Sequence, residues 1–199
     1  MTVRDFRLVR LDDPNDRVAW ENWSRCYEYP LALRALARLR AERPDHRLTV
    51  HNTACGASPL HTKFARELDR LYDVTNSDVE PLVLPGKPTW PWMPNYRVYN
   101  LMSRMERTFD AVLCISTLEH IEARYTPAIL QNLFDQTAVG GLTVLTVDVP
   151  VADVAAIENF VGRRCARSDL DMDSTKSVFP AESTHGLAQI GYLEVERDA

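Results

Sequence analysis

Apolar positions divide the chain into short, alternating segments. Val18, Trp20, Trp23, Tyr27, Leu31, Leu33, Leu36 and Leu39 recur at roughly helical spacing and predict helix over residues 17–42, with Pro30 splitting the run in two. Arg43-Pro44 closes it, because a residue before proline is pushed out of the helical region. Leu48 to His51 is a short β-branched strand pattern that enters a turn of small residues, Thr53 to Ser58, and then a helix from Pro59 to Leu68. Arg70 to Val74 reads as a second strand and Tyr96 to Leu101 as a third. Phe109 to Ile115 is a fourth, almost wholly apolar, as a strand covered on both faces must be. A helix follows from Pro127 to Thr137, stopped by Gly140-Gly141, and Leu142 to Val147 is a fifth strand. Ala152 to Arg164 reads as helix and Ser168 to Ser177 as loop. Thr184 to Ile190 reads as a short helix ended by Gly191, and Tyr192 to Glu196 as a last strand.

Strands alternating with helices predict an α/β fold with a parallel sheet and right-handed crossovers. One crossover departs from this rule. Five prolines (81, 85, 88, 91 and 94) with Trp90 and Trp92 among them exclude a regular helix between the second and third strands.

Composition narrows the class. The chain has 199 residues, 45% hydrophobic and 26% charged, which is enough for one sizeable core and too few for two ordinary domains. No apolar run approaches the roughly 20 residues of a membrane span, and residues 1–10 lack the apolar centre of a signal peptide, so a cytoplasmic location is expected. A net charge of −5 gives no general attraction to nucleic acid or to an anionic membrane. Cys26, Cys55, Cys114 and Cys165 are widely spaced, a pattern of neither a zinc site nor a disulfide framework.

A strand, a tight small-residue turn and a helix together make a cradle for an anion or cofactor. Here the turn reads Asn52-Thr-Ala-Cys-Gly-Ala-Ser58, without the repeated glycines of a dinucleotide fingerprint. Followed by an acid near the end of the second strand, then by FDAVLCISTLEHI, then by GGLTVLTVDVP, it resembles the class I S-adenosylmethionine-dependent methyltransferases. The likeness is to the small-molecule type with a Leu-Glu-His motif after the fourth strand. Arg25-Cys-Tyr-Glu-Tyr-Pro30 is similar to a segment that precedes the cofactor fold in some of them. The resemblance implies a Rossmann-like, doubly wound, mostly parallel sheet of about six to seven strands with helices on both faces. It implies a helical N-terminal extension over residues 1–47, ahead of a cofactor-binding domain over 48–199.

The family's acidic-x-Gly-x-Gly-x-Gly turn falls on Asn52, Ala54, Gly56 and Ser58, with Cys55 between; only Gly56 keeps the family residue. The ribose-binding acid falls on Asp73, or the position on Thr75 or Asn76 if the strand is longer. Asn100 matches the position that meets the adenine amino group, and Ser116 and Thr117 the contacts after the fourth strand. Glu119 and His120 follow. His120 is either a general base for a hydroxyl or amine acceptor or a residue that shapes the site. Relatives that bind a divalent metal do so through Glu-x-x-Glu-His; Ser116 stands in the first of those positions, so no metal is expected. Asp148, at the end of the fifth strand, is a secondary candidate. Trp20, Trp23, Tyr27, Tyr29, Trp90 and Trp92 either wall a pocket or belong to the core.

Three functions stay open: a methyltransferase acting on a small molecule or glycan, a degenerate member of the fold serving as a partner subunit, and a nicotinamide-dependent oxidoreductase. The resembling enzymes finish with two further strands, the last antiparallel, and only Tyr192 to Glu196 is clear here, with Ser177 to Phe179 a faint second. An open sheet edge is therefore expected, available for pairing in a homodimer.

Overall fold

A computed structural model describes residues 1–10, 25–56, 59–81, 93–149, 152–163 and 189–198. Seven strands, β1 (Thr2–Arg10), β2 (Thr49–Thr53), β3 (Asp73–Asp78), β4 (Tyr96–Val98), β5 (Phe109–Ile115), β6 (Thr137–Val149) and β7 (Gln189–Glu196), form one sheet in the order β1-β7-β6-β5-β2-β3-β4. β2 to β6 run parallel, and β7 is antiparallel to both its neighbours. The helices are α1 (Arg25–Glu42), α2 (Pro59–Leu71), α3 (Thr126–Asp135) and α4 (Val154–Val161). α1 and α2 pack on one face and α3 and α4 on the other, which is the doubly wound α/β arrangement.

β5 shows how the pattern makes the layers. Ala111, Leu113 and Ile115 face α1 and α2, while Val112 and Cys114 face α3 and α4, the period-two alternation of a strand buried on both sides. In α1 the residues Tyr27, Leu31, Ala35 and Leu39 repeat every four positions and are all buried. Pro30 does not divide this helix as expected: it lies inside α1, where the loss of one backbone donor is offset by the buried stripe on either side.

Four further expectations are corrected. Arg70 and Leu71 belong to α2, so the second parallel strand starts at Asp73 and runs on to Asp78. Gly140-Gly141 does not stop a helix: α3 ends at Asp135, and the pair lies in β6 beside a register shift against β5. A Cβ on Gly141 would stand 2.7 Å from the Asp110 carbonyl. Ile190 and Gly191 are strand, not helix end; a Cβ on Gly191 would meet Val147 at 2.8 Å, so this glycine admits a close neighbouring strand. Finally, the N-terminal extension is not helical throughout. Residues 2–10 are β1, which pairs antiparallel with β7 and supplies the edge strand missing from the C-terminal sequence.

The third strand is shorter than expected, Tyr96–Val98. Trp20, Trp23, Trp90, Trp92, Ser58, Ser177 to Phe179 and most of the proline-rich loop lie outside the described residues. Among the described residues no helix is long and apolar enough to cross a membrane.

At the N-terminal edge of the parallel strands Asp110 acts as a clamp. Its carboxylate accepts from Arg43 at 2.9 Å, from the Thr49 N–H at 2.8 Å and meets His46 at 2.8 Å. The connection from α1 into β2 is thereby tied to the start of β5, leaving the opposite edge open.

Candidate functional site

A cavity of about 520 Å³ opens at the C-terminal ends of β2, β3 and β5, where ligands bind in sheets of this topology. Its floor is the turn after β2. Ala54 and Gly56 both hold left-handed backbone, φ +46° and +66°. Gly56 cannot be replaced without displacement, since a Cβ there would lie 2.1 Å from His61 Nδ1. The Gly56 N–H donates to Asp78 Oδ2 at 2.8 Å, fixing that carboxylate at the cavity wall.

Asp78 thus occupies the position assigned from sequence to Asp73. Asp73 sits at the other end of β3, exposed and 3.7 Å from Arg107, and does not line the cavity. The cause is the extra turn of α2, which delays the strand. Thr75 and Asn76 are buried within β3, and Asn76 accepts from the Asn52 amide at 2.8 Å.

Asn52, Ala54, Cys55, Asn100, Ser116, Thr117 and His120 all line the cavity. Gly56 does not, although it orients Asp78. Asn52 is buried with its amide committed to Asn76, and Cys55 packs its sulfur 3.4 Å from that of Met93. Asn100 Oδ1 accepts from the Met102 N–H at 2.9 Å and so also shapes its own turn. Ser116, at φ +43°, ends β5 and turns its hydroxyl to Glu28. His120 closes a 3₁₀ turn, Leu118–His120, and is exposed.

Glu119 does not line the cavity. Its Oε1 accepts from the Asp148 N–H at 3.4 Å, and its Oε2 is buried with no partner among the described residues. Burial, with Asp148 beside it, pushes the Glu119 carboxyl up to about 8; burial and Glu28 push Asp148 to about 6. Both lie behind the cavity wall rather than on it.

Sequence reasoning missed Arg25, His61, Asp78 and Tyr99, all of which line the cavity. Tyr29 is both core and wall: it stacks on Phe64 with centroids 3.9 Å apart, and both rings line the site. Arg25 and Tyr29 stand in the Arg25–Pro30 segment singled out from the sequence, which was the available signal. Tyr99 is held by a buried chain. Ser77 donates to His51 Nε2 at 2.8 Å, His51 Nδ1–H to Gln136 Oε1 at 2.7 Å, Gln136 Nε2 to the Tyr99 hydroxyl at 2.9 Å, and that hydroxyl to the Ser103 carbonyl at 2.6 Å. Burial drives the His51 pKa down to about 4, so the neutral imidazole serves as one donor and one acceptor in this chain.

No family model matches the chain, and no curated protein matches it. Solved structures do. The chain is similar to the magnesium protoporphyrin IX methyltransferase of Synechocystis PCC 6803 with bound S-adenosylmethionine, at 16% identity and a TM-score of 0.53 over 85% of this chain and 79% of that one. The N-methyltransferase NodS of Bradyrhizobium japonicum WM9, in complex with S-adenosylhomocysteine, matches at 12% identity and TM-score 0.50 over 89% and 93%. A TehB-like S-adenosylmethionine-dependent methyltransferase of Corynebacterium glutamicum matches at 14% identity and TM-score 0.50 over 85% and 96%. Strand order, the glycine turn after β2 and these three likenesses agree: the chain has the class I S-adenosylmethionine-dependent methyltransferase fold.

Proposed function

We propose that this protein binds S-adenosylmethionine and transfers its methyl group to a small-molecule or glycan acceptor. The observation that carries the reading is the pairing of the Gly56 N–H with the Asp78 carboxylate at the ends of two adjacent parallel strands, on the wall of a cavity of small-molecule size. A carboxylate so placed can accept from both hydroxyls of a ribose. Tyr99 and Asn100 stand beyond it, on the side where a purine would lie.

The sulfonium of S-adenosylmethionine supplies an already electrophilic methyl group, so the chain has to orient an acceptor and remove its proton. Positioning of this kind contributes about 7–11 kcal/mol in favourable cases. His120 is the candidate base: it lines the cavity, is exposed, and follows the fourth parallel strand where an acceptor would lie. Glu119, behind the wall, supports the turn that carries it.

Thermal unfolding with S-adenosylhomocysteine tests the cofactor. At 100 times the dissociation constant the ligand adds about 2.7 kcal/mol, a rise of several degrees for a chain of this size. Asp78→Ala and Gly56→Val are expected to abolish the shift, and Asp73→Ala to leave it intact. A shift lost with Asp73→Ala and kept with Asp78→Ala would reverse the assignment, and no shift in the folded wild type would refute cofactor binding. A second reading, a degenerate member of the fold acting as a partner subunit, is favoured by Asn52, whose amide replaces the family acid and is tied to Asn76. Ligand binding without turnover on any amine or hydroxyl acceptor would support it.

A further inference from the structure

β1 closes the sheet at one end and pairs with β7; among the described residues no strand joins its outer side. Nine residues make a long edge, and a row of backbone donors and acceptors on such an edge is a template for a further strand. The side chains of β1 divide by face. Phe6 is buried on the α3 and α4 face, and Val3 and Leu8 pack against the same core, each half-buried. Val3 shares that face, three residues from Phe6, because the register against β7 shifts between Val3 and Asp5. Asp5, Arg7 and Val9 take the α1 face: Arg7 stands over the Tyr192 ring at 5.7 Å, its guanidinium pairs with Asp5 at 3.2 Å, and Val9 packs against the α1 side of the core.

This segment is complementary to itself. When two copies lie antiparallel with Phe6 opposite Phe6, Asp5 of each stands directly across from Arg7 of the other, both on the α1 face. We propose that the protein forms a twofold-symmetric dimer in which the β1 edges of two copies pair antiparallel about Phe6, joining two seven-stranded sheets into one. The inference stands apart from the cofactor reading. β1 runs parallel to β2–β6, so the pairing reverses the second sheet, and the two cavities open at opposite rims with neither covered by the contact.

Three features select a second copy over an arbitrary strand. Charges on an edge repel a foreign strand that leaves them unmatched, but here the symmetric partner supplies the opposite sign at both positions, and four charges alternate around the axis. The Asp5 and Arg7 side chains keep 33% and 51% of their surface exposed, so each has room for this second partner. The charges also fix the register. A slip of one residue sets Asp5 across from Phe6, and a slip of two keeps the faces but sets Asp5 against Asp5 or Arg7 against Arg7. On the other face, Val3 and Leu8 flank the paired Phe6 rings and cover one another across the axis. α1 packs mainly on β5 and β6, at least two strands in from this edge.

Sedimentation velocity over a concentration series tests this. Wild type is expected to sediment as a dimer at the upper end of the series. Asp5→Arg and Arg7→Asp each set like charges across the axis and are expected to weaken the dimer about tenfold or more. The Asp5→Arg/Arg7→Asp double variant gives every charge an opposite again and is expected to restore it. Circular dichroism checks that each variant is folded. The register is tested separately by mixing Asp5→Cys protein with Arg7→Cys protein under oxidising conditions, with wild type alongside as the control for the native cysteines. Residues directly opposite bring their Cα atoms to about 4.5–5.5 Å, within reach of a disulfide, so the mixture is expected to cross-link and neither variant alone to do so. The mixed dimer also keeps one Asp5–Arg7 contact, which neither variant has by itself. If Asp5→Arg or Arg7→Asp does not fold, the cysteine pair decides the matter alone. A monomer throughout the series, a dimer indifferent to Asp5→Arg, no recovery in the double variant, or no cross-link specific to the mixture would overturn the proposal.

Discussion

His51 makes an acid-sensitive point in the core. It lies fully buried in β2, between Phe109 and Tyr99, with both nitrogens bonded to neutral partners. Burial lowers its pKa from 6.5 to about 4. Between those values the unfolded chain binds a proton that the folded chain does not, so stability must rise with pH across this window and fall as the solution is acidified. A shift of about 2.5 units at 1.36 kcal/mol per unit corresponds to about 3 kcal/mol in full. Applying the same linkage between pH 7.5 and pH 5 gives about 2 kcal/mol. Other groups act in the same interval: His61 adds to the loss, while Glu119 and Asp148, with raised pKa values, oppose it. The comparison must therefore be between wild type and His51→Gln, whose amide oxygen can accept from Ser77 but does not titrate. Urea unfolding at both pH values gives each stability by linear extrapolation. Wild type should lose about 2 kcal/mol more than the variant on going to pH 5. A difference below about 0.5 kcal/mol, within ordinary mutational scatter, would refute the argument that His51 is held neutral by burial.

Two other substitutions test the strain and charge of the site. Ala54→Gly relieves a left-handed alanine, which costs about 1–2 kcal/mol, against the greater freedom glycine gives the unfolded chain; a net gain of up to about 1 kcal/mol is expected, read as a melting temperature raised by about 2–4 °C. Glu119 has its pKa raised to about 8, so its contribution is present below the unfolded value of 4.5 and lost as pH rises through 8; Glu119→Gln should therefore flatten the decline in melting temperature between pH 6 and pH 9.

Local signals located much of the sheet: β5 reads as a nearly continuous apolar run, and Leu142 to Val147 in β6 as apolar residues joined by β-branched threonines. Phe109 to Ile115 matches β5 at both ends. What failed depended on distant partners. Thr2 to Arg10 mixes apolar and charged residues with broken alternation, and its partner β7 lies at the other end of the chain, so nothing local distinguishes such a segment from an exposed lead-in. Glycine was misread for the same reason. Gly140-Gly141 and Gly191 read locally as helix stops, glycine's commonest local meaning, whereas here two of the three make room for backbone or side chains of neighbouring strands. The site suffered one displacement of register. Asn76, Ser77 and Asp78 look like loop by composition, yet they complete β3 because Asn76 pairs with Asn52 and Ser77 bonds to His51. With the strand end at Asp78, the acid that lines the cavity is Asp78 and not Asp73.

The polar residues that made β3 hard to read belong to a wider arrangement. Two buried networks stand on opposite faces of the sheet. Toward α1, Glu28 joins Arg25 to the ends of β5 and β6. Toward α3, His51 and Gln136 join Ser77 in β3 to Tyr99 after β4. Each places neutral or charged groups in positions where apolar side chains of similar size would cost less desolvation. Each also ends on a cavity-lining residue at the margin of an element, Arg25 at the start of a helix and Tyr99 beyond a three-residue strand. A fully bonded network restricts such a residue to one orientation, which apolar packing alone does less well. Glu119 Oε2, without a partner among the described residues, lies in neither network. There the cost is met by holding a proton rather than by adding a bond, so Glu119 remains neutral near pH 7 and leaves the charge of Arg25 to face the cavity.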